Sequence, residues 1–363
     1  TPRDEAWLST VDQGSVPPIP IRAIGSGICK DAKCDGSDND ECFESCGNKA
    51  TDDDVYGCKA ANQWALTFDD GPGEHTEDLL DILQEENVKA TFCVTGAQAE
   101  KYPEVVRRAY KEGHQIALHT YSHSHLMSLS NEEIIYELKA TERAIVRAIG
   151  VRPRYLRPPF GEADARVKAL AKAMDYKILM WNVDPRDYDV FFQEKSGKLI
   201  SKHLKKVMDT KVTNLNAHND PGFISLQHDL YEISINEVPG IIKALRNHGY
   251  DMTTVAECIG DDEPFSKEKS MFRDEYQYAG EDEEDDHKKK DKNDKKDDEH
   301  NEEDEDIESN ALNGVIKQDS MPINIKEEGS DQQTKAARPL DSSDANSSDK
   351  SSSTSPTSSA TAT

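Results

Sequence analysis

Leu66-Thr67-Phe68-Asp69-Asp70-Gly71-Pro72 is the stretch that decides the fold. It ends a run of apolar and β-favouring residues, and the two acids followed by Gly-Pro mark the C-terminal end of a strand. Enzymes built from parallel strands carry their reactive groups at that end. Neighbouring acids on a strand point apart, and close carboxylates repel unless a cation lies between them. The stretch is therefore either a plain turn or a site where one acid binds a metal and the other handles a proton.

Composition divides the chain into a folded part and a polar remainder. The net charge is -27 and the hydrophobic content is 35%, yet apolar and periodic stretches fill the span from Gly57 to Gly260. Net acidity argues against nucleic acid as a partner, because phosphate binding needs a basic face. The apolar runs are all shorter than the roughly 20 residues that cross a bilayer, so we expect no transmembrane segment. Because the sequence starts at Thr1, we expect a processed chain. We also expect the protein to be a monomer.

Six of the seven cysteines are candidates for disulfides: Cys29, Cys34, Cys42, Cys46, Cys58 and Cys258. The segment around the first five is too polar to fold on its own apolar surface, so disulfides in a secreted protein are the favoured interpretation. A zinc site is the alternative, although paired C-x-x-C spacing is lacking. Cys258 is a partner for Cys58 in a disulfide. Cys93, which lies inside an apolar strand, is then left as a buried free thiol.

Helices and strands alternate along the folded span. Strands are predicted at 64–68, 88–94, 115–118, 155–157, 177–181 and 223–226. The first helix is predicted to be capped by Thr76 and to run to Leu83. Further helices are predicted at 103–113, 130–150, 167–174, 199–208 and 235–247. Ser130 and Glu133 form a capping box at the start of the longest helix. Repeated β-α units indicate parallel strands in a doubly wound sheet or a β/α barrel, and we favour the barrel.

Four regions follow from these patterns. Residues 1–28 form an irregular Pro-rich leader, 29–58 the cysteine-rich segment, 59–260 the catalytic domain, and 261–363 a disordered acidic and Ser/Thr-rich tail. The end of the tail is typical of an O-glycosylated stalk, and Asn346 begins an N-glycosylation acceptor sequence. We interpret the acidic tract as a solvated spacer. The alternative is that it holds a surface that bears ammonium groups.

Polar residues follow five predicted strands. After the two acids come His119 and His123. Their spacing of four predicts that both imidazoles lie on one face of a helical turn, close enough to share one ion. Arg157 can pair with a carboxylate and keep it ionised. The last two sets are the stretch from Trp181 to Tyr188 and the run Leu226-Gln-His228-Asp229. Each set alone has a structural explanation, but five at successive strand ends indicate a catalytic site.

These sets resemble, in order, the five motifs of the polysaccharide deacetylases, the NodB-homology family or carbohydrate esterase family 4. The motifs are Thr-Phe-Asp69-Asp70, His119-Thr-x-x-His123, Arg157-Pro-Pro-Phe160, Asp184-x-x-Asp187-Tyr188 and Leu226-x-His228. The resemblance runs from about Trp64 to Gly260, and the segments around Cys46, Cys58 and Cys258 are similar to fungal chitin deacetylases. It implies an α/β fold, a distorted (β/α) barrel, and removal of acetyl groups from chitin or chito-oligosaccharides to give chitosan and acetate.

The resemblance also implies a role for each motif residue. One divalent metal, zinc or else cobalt, would be bound by Asp70, His119 and His123. The residues that act in the chemistry would be the general base Asp69, the general acid His228, the backbone N–H of Phe160 as oxyanion donor, and Arg157 and Asp187, which orient the base and the acid. The substrate would be contacted by Tyr188, Leu226 and Trp181. Tyr188 stands where the family more often has Trp, and Phe160 replaces a frequent Tyr.

The motifs recognise an acetyl group rather than a particular polymer. Peptidoglycan and acetylxylan are therefore alternative substrates, and a wall-bound protein that only binds polysaccharide is an alternative of another class. Disulfides, glycosylation sequence and stalk place the protein outside the cell or in the cell wall. The resemblance also implies a possible GPI anchor in a longer precursor, whose signal a processed chain would have lost.

Overall fold

In the computed structural model of the chain, the described residues are 1–190, 196–213 and 217–278. Their strands form one parallel sheet of seven: Gln63–Asp69 (β1), Thr91–Val94 (β2), Gln115–Leu118 (β3), Tyr155–Leu156 (β4), Lys177–Ile178 (β5), Phe223–His228 (β6) and Asp251–Thr253 (β7). The order is β5-β4-β3-β2-β1-β6, and β7 also pairs with β1. Strand β1, which carries the Asp69-Asp70 stretch, pairs with three others: β2, β6 and β7.

The sheet curves until its two ends meet. Beyond β5, Leu179 forms a parallel bridge with Val55, and Val183 forms one with Ser225 of β6. The Leu226 N–H donates to the Val183 carbonyl at 2.9 Å, which ties the far end of the sheet to β6. The predicted distorted (β/α) barrel is confirmed, with β4 and β5 as short strands and an irregular closing segment.

Twelve α-helices lie in the described residues. They are Glu5–Leu8 (α1), Phe43–Cys46 (α2), Thr76–Glu85 (α3), Gly96–Lys101 (α4), Pro103–Lys111 (α5), Asn131–Ile149 (α6), Ala165–Ala173 (α7), Asp187–Val190 (α8), Ser196–Thr210 (α9), Glu232–Ile235 (α10), Val238–Asn247 (α11) and Val255–Ile259 (α12). Short 3-10 turns occur at Leu126–Ser128, Pro159–Gly161 and Arg273–Glu275. The capping box of Ser130 and Glu133 starts α6 as predicted, and Gly150 ends it in the left-handed conformation. In the described part of the chain, every helix is too short or too polar to span a bilayer.

Apolar residues form two cores, one on each side of the strands. The outer core lies between the sheet and the helices and includes Trp64, Leu66 and Phe68. The inner core fills the barrel with the residues between them, such as Ala65, and with Cys93 and Ile224. This alternation is the two-residue period of a strand covered on both faces. On β1 the inner face leads from Ala65 through Thr67 to Asp69, so the barrel interior ends at Asp69.

Helix α12 closes the other end of the barrel. Its first backbone N–H groups, of Val255 and Ala256, donate to the side chains of Thr91 and Gln115 at the starts of β2 and β3. The disulfide between Cys58 and Cys258 fastens this helix to the chain just before β1. The remaining disulfides join Cys29 to Cys42 and Cys34 to Cys46, while Cys93 is buried and free. The six predicted cysteines are therefore confirmed in disulfides.

Two predictions about chain boundaries differ from the structure. The predicted helix 235–247 is split into α10 and α11, because Pro239 lacks the N–H of a continuous helix and stands instead in the first turn of α11. The predicted disordered tail does not begin at 261. Asp261 accepts hydrogen bonds from Tyr155 and Lys177, and Phe272 is 3% exposed in the outer core beside Trp7. The rest of that tail, with Asn346, lies outside the described residues.

Candidate active site

The carboxyl ends of the strands bring the predicted residues together. Asp69 ends β1, His119 follows β3, Arg157 follows β4, and His228 ends β6. Parallel strands present these ends at one rim of the barrel, so residues up to 159 positions apart in sequence meet there. The predicted arrangement of polar residues at strand ends is thus observed at a single site.

Asp70, His119 and His123 converge on one point. The Nε2 atoms of both imidazoles lie 3.3 Å from Oδ1 of Asp70, and one ligand atom from each residue lies within 4.8 Å of the others. Asp70 has a φ of 77°, which turns its side chain toward the same side as Asp69 although the two are neighbours. The predicted helical turn over 119–123 is wrong: Thr120 and His123 have φ values of 62° and 55° within a loop, and this loop brings the two rings together.

The chemistry of this cluster fits a divalent cation. Oδ1 of Asp70 is buried and accepts a hydrogen bond from none of the described residues, although two imidazole nitrogens face it. Burial opposes the Asp70 carboxylate, but His119 and its other histidine neighbours outweigh burial and hold the Asp70 pKa well below its usual range. Burial lowers the pKa of His123 to about 4. A carboxylate and a neutral imidazole are the forms that bind metals, and the set of one acid and two histidines leaves open positions for water and substrate.

The orientation of His119 is fixed from behind. Its Nδ1 lies 2.8 Å from the backbone carbonyl of Arg157, so this nitrogen carries the proton and Nε2 points into the cluster. Burial disfavours the charged ring, but Asp69 and Asp70 outweigh burial and raise the pKa of His119. The backbone carbonyl of Arg157 therefore positions the metal-ligand candidate His119, while the Arg157 side chain binds Asp69.

Asp69 is held by a buried arginine. Nη1 of Arg157 donates to Oδ1 of Asp69 at 2.7 Å and to Thr67 at 2.6 Å, and Nη2 donates to the Met180 carbonyl at 2.9 Å. Arg157 is 0% exposed and Asp69 is 2% exposed. Oδ2 of Asp69 is left on the side of the cluster, 3.9 Å from Nε2 of His119. A carboxylate with one oxygen anchored and one directed to a cation site is arranged to accept a proton from a water molecule there.

His228 and Asp187 form a second acid–base pair. Nδ1 of His228 donates to Oδ1 of Asp187 at 2.7 Å, while Oδ2 of Asp187 accepts from the His228 backbone and from Ser234, both at 2.8 Å. Burial opposes a charged ring, but the Asp187 carboxylate outweighs burial and, with Asp70 and Asp69, raises the pKa of His228 to about 10. His228 therefore carries a proton at neutral pH, as a general acid requires.

Phe160 has the backbone geometry of a functional position. Its φ of 60° is unusual for an aromatic residue, and its ring is 52% exposed. No carbonyl or side chain of the described residues accepts a hydrogen bond from its backbone N–H. A strained residue with a free donor at the rim of a site is a candidate for binding a developing oxyanion.

The three predicted substrate contacts occupy different positions around this site. Tyr188 is 37% exposed, meets the His228 ring at 5.6 Å, and donates its hydroxyl to Asp184 at 2.9 Å. Leu226 is buried two residues before His228 on the inner face of β6. Trp181 lies with its ring 5.7 Å from the Arg157 guanidinium and is partly buried. Tyr188 is therefore the most accessible of the three.

Sequence reasoning assigned no role to four residues at this rim: His125, Glu162, Asp229 and Ser234. His125 stacks on Phe160 and is bonded to buried Glu162 at 2.9 Å. Asp229 is 1% exposed and accepts from Thr76 at 2.6 Å, so the hydroxyl of Thr76 does not act as the predicted helix cap. Burial raises the pKa of Asp229 to about 7. Ser234, the fourth, holds Asp187. The spacing of His125 from His123 and the pair His228-Asp229 were the only signals in the sequence.

Comparisons with known proteins agree with this geometry. A family model described as polysaccharide deacetylase matches residues 56–179. Chitin deacetylase 1 of Cryptococcus neoformans var. grubii is 34% identical over 268 residues, which cover 70% of this chain and 55% of that protein. A chitin deacetylase of Colletotrichum lindemuthianum is 33% identical over 215 residues, which cover 57% of this chain and 83% of that protein.

A solved structure of the chitin deacetylase from Colletotrichum lindemuthianum superposes with a TM-score of 0.53 and 30% identity, over 60% of this chain and 96% of that one. A peptidoglycan-N-acetylglucosamine deacetylase of Bacillus cereus is 35% identical over 196 residues, which cover 53% of this chain and 66% of that protein. The chain thus spans nearly all of the solved fungal structure but only about half of the Cryptococcus protein.

Proposed function

Because the chain belongs to the polysaccharide deacetylase family, we propose that it is a chitin deacetylase that hydrolyses the N-acetyl groups of N-acetylglucosamine units to chitosan and acetate. The observation that carries this proposal is one rim that joins three features. They are the cation cluster Asp70, His119 and His123, the anchored base Asp69, and the protonated acid His228. Amide hydrolysis needs all three functions, since the acyl carbon must be activated, water deprotonated and the amine protonated.

The cluster would hold one divalent metal, with zinc proposed ahead of cobalt. Such an ion, when bound, acidifies water and polarises a carbonyl oxygen. His119 presents Nε2 because its Nδ1 donates to the Arg157 carbonyl. Asp70 supplies the single negative charge, and its position after the strand end places it beside the base Asp69.

Each step then uses a residue of this chain. Oδ2 of Asp69 takes a proton from the attacking water, whose oxygen forms the new bond to the acetamide carbon. The backbone N–H of Phe160 donates to the carbonyl oxygen as negative charge develops there. His228 gives its Nε2 proton to the nitrogen, and the C–N bond breaks to leave an amine and acetate. Asp187 keeps His228 protonated until this step.

Substrate contacts follow from the rim. Tyr188 is proposed to stack on the sugar ring, Leu226 to face the acetyl methyl, and Trp181 to support Arg157 and line the same wall. Secretion to the cell exterior or wall is proposed from the three disulfides, because such bonds persist in oxidising compartments. N-glycosylation at Asn346, a GPI anchor and a monomeric state belong to the same proposal, and all site residues come from one chain.

The test is acetate release by the purified full chain from chitin oligomers, peptidoglycan fragments and acetylxylan. We expect release from chitin oligomers, and a loss of at least about 10²-fold in Asp69→Asn, since a positioned base contributes roughly 10² to 10⁴ in rate. Asp209→Asn is the matched control, because Asp209 is an exposed acid bonded to His248. Faster acetate release from peptidoglycan or acetylxylan than from chitin oligomers would show that chitin is not the preferred substrate. Release from none of them would favour a protein that only binds polysaccharide.

A further inference from the structure

The two histidines of the cluster are held in different ways. Nδ1 of His119 donates to a backbone carbonyl, and the side chain is 4% exposed. The side chain of His123 is 34% exposed, and none of the groups in the described ranges accepts a hydrogen bond from its Nδ1. Metal-binding histidines usually have such a partner, which fixes the ring and strengthens the ligand. The orientation of His123 must therefore come from another contact.

Two rings contact His123: His119, with centroids 5.0 Å apart at an angle of 58°, and Phe160, which belongs to an aromatic stack. The Phe160 ring lies 4.7 Å from the His123 ring at an angle of 64°, an edge-to-face contact. On Phe160 lies the His125 ring, with centroids 3.8 Å apart and an angle of 5° between the planes. Edge-to-face and stacked aromatic pairs are favourable beyond the area that they bury. Phe160 is thus held between two histidines, one of them the metal-ligand candidate.

The outer histidine is anchored in the protein. Nδ1 of His125 lies 2.9 Å from Oε2 of Glu162, which is 3% exposed. The Glu162 N–H donates to the Pro159 carbonyl, and the next N–H, of Ala163, donates to Asn48 at 2.8 Å. The stack therefore rests on a buried carboxylate in a loop that is itself bonded to the cysteine-rich segment.

Backbone strain indicates that the stack is needed. His123 and Phe160 have φ values of 55° and 60°, left-handed conformations that are unfavourable for residues other than glycine. Strained residues persist only where the surroundings hold them, and they concentrate at functional sites. Here both strained residues face each other, and the His125–Glu162 pair lies behind them.

We propose that Phe160, His125 and Glu162 are positioning residues for the metal ligand His123, with the stack in place of the missing hydrogen bond. The proposal rests on the metal site of the proposed function. His125 and Glu162 act through Phe160 and contact neither the reacting atoms nor the ion. Metal affinity should therefore depend on side chains two contacts away from the cluster.

The test measures zinc affinity of the full chain by competition with a chromogenic chelator, in the absence of substrate. We expect His125→Ala to weaken zinc binding by about 10-fold or more, since outer partners of metal ligands contribute roughly 10- to 100-fold. His125→Phe retains the stack without the hydrogen bond to Glu162 and should recover most of the affinity. Glu162→Gln retains a neutral partner for His125 and should fall between these two. The visible spectrum of the cobalt-loaded protein should change in His125→Ala and remain as in the parent in His125→Phe.

His248→Ala is the matched control, because His248 is also paired with a carboxylate, Asp209 at 3.0 Å, but lies at the end of α11. Thermal unfolding of each variant in chelator separates loss of the fold from loss of the site. Zinc binding by His125→Ala as tight as in the parent would overturn the proposal. Because no substrate is used, failure of acetate release and failure of this proposal are distinguishable.

Discussion

Removal of the charge from Asp187 should shift the upper pH limit of activity. Asp187 is fully buried, and its carboxylate is the main reason why the pKa of His228 is raised from the ordinary 6.5 to about 10. In Asp187→Asn the size is kept and the charge is lost, so we expect the pKa of His228 to return to near its ordinary value. A fall from about 10 to about 6.5 corresponds to about 5 kcal/mol between the two protonation states.

The direction follows from the role proposed for His228 as a general acid. It donates only when protonated, so activity is retained below its pKa and lost as pH rises through it. At pH 9 a group with a pKa of about 10 is mostly protonated, whereas one of about 6.5 is protonated in well under about 1% of molecules. Asp187→Asn should therefore lose about 10²-fold more kcat/KM at pH 9 than at pH 6. Poorer orientation lowers both values alike, so their ratio is the readout.

The assay is the pH profile of kcat/KM for acetate release from a chitin oligomer. Asp209→Asn provides the control, because it removes the charge from another carboxylate that is bonded to a histidine. An alkaline limb at the same pH in Asp187→Asn and the parent would refute the role given to this pair.

Three further variants test the structure around the site. Arg157→Met leaves Asp69 buried and unpaired, so the free energy of unfolding in urea should fall by about 3–5 kcal/mol. The double variant with Asp69→Asn should recover part of this loss, and no recovery would argue against the Arg157–Asp69 pair. Phe272→Ala should lower the free energy of unfolding by about 3 kcal/mol because the ring lies in the outer core. An unchanged value would mean that residues 261–278 do not contribute to the folded domain. Replacement of Cys58 and Cys258 by alanine should lower it by about 5 kcal/mol, since their loop spans 200 residues, and a loss below about 1 kcal/mol would contradict the chain-entropy argument.

Much of the site could be predicted because its residues lie at strand ends. Side-chain alternation and the Gly71-Pro72 stop placed Asp69 at the end of β1, and parallel pairing then implied that His119, Arg157 and His228 share its rim. Local patterns also predicted α6, since the capping box and Gly150 depend on neighbouring residues alone. Where the physics is local, sequence and structure agree.

The errors come from long-range contacts. The acidic composition beyond Gly260 concealed Phe272, a single aromatic residue that packs beside Trp7. The spacing of His119 and His123 indicated proximity, but the loop with two left-handed residues that creates it has no pattern in the sequence. The partners of His125, Phe160 and Glu162, are distant in sequence, so no local pattern joins the three residues. Contacts of this kind become visible only in three dimensions.

We expect that one divalent ion in the cluster of Asp70, His119 and His123 is required for acetate release. The most direct measurement removes metal from the full chain with a chelator, dialyses the chelator away, and adds zinc in small steps while acetate release from a chitin oligomer is recorded. We predict no release from the metal-free chain, and a linear rise that stops at one zinc per chain. Release from the metal-free chain at the parent rate would contradict the claim.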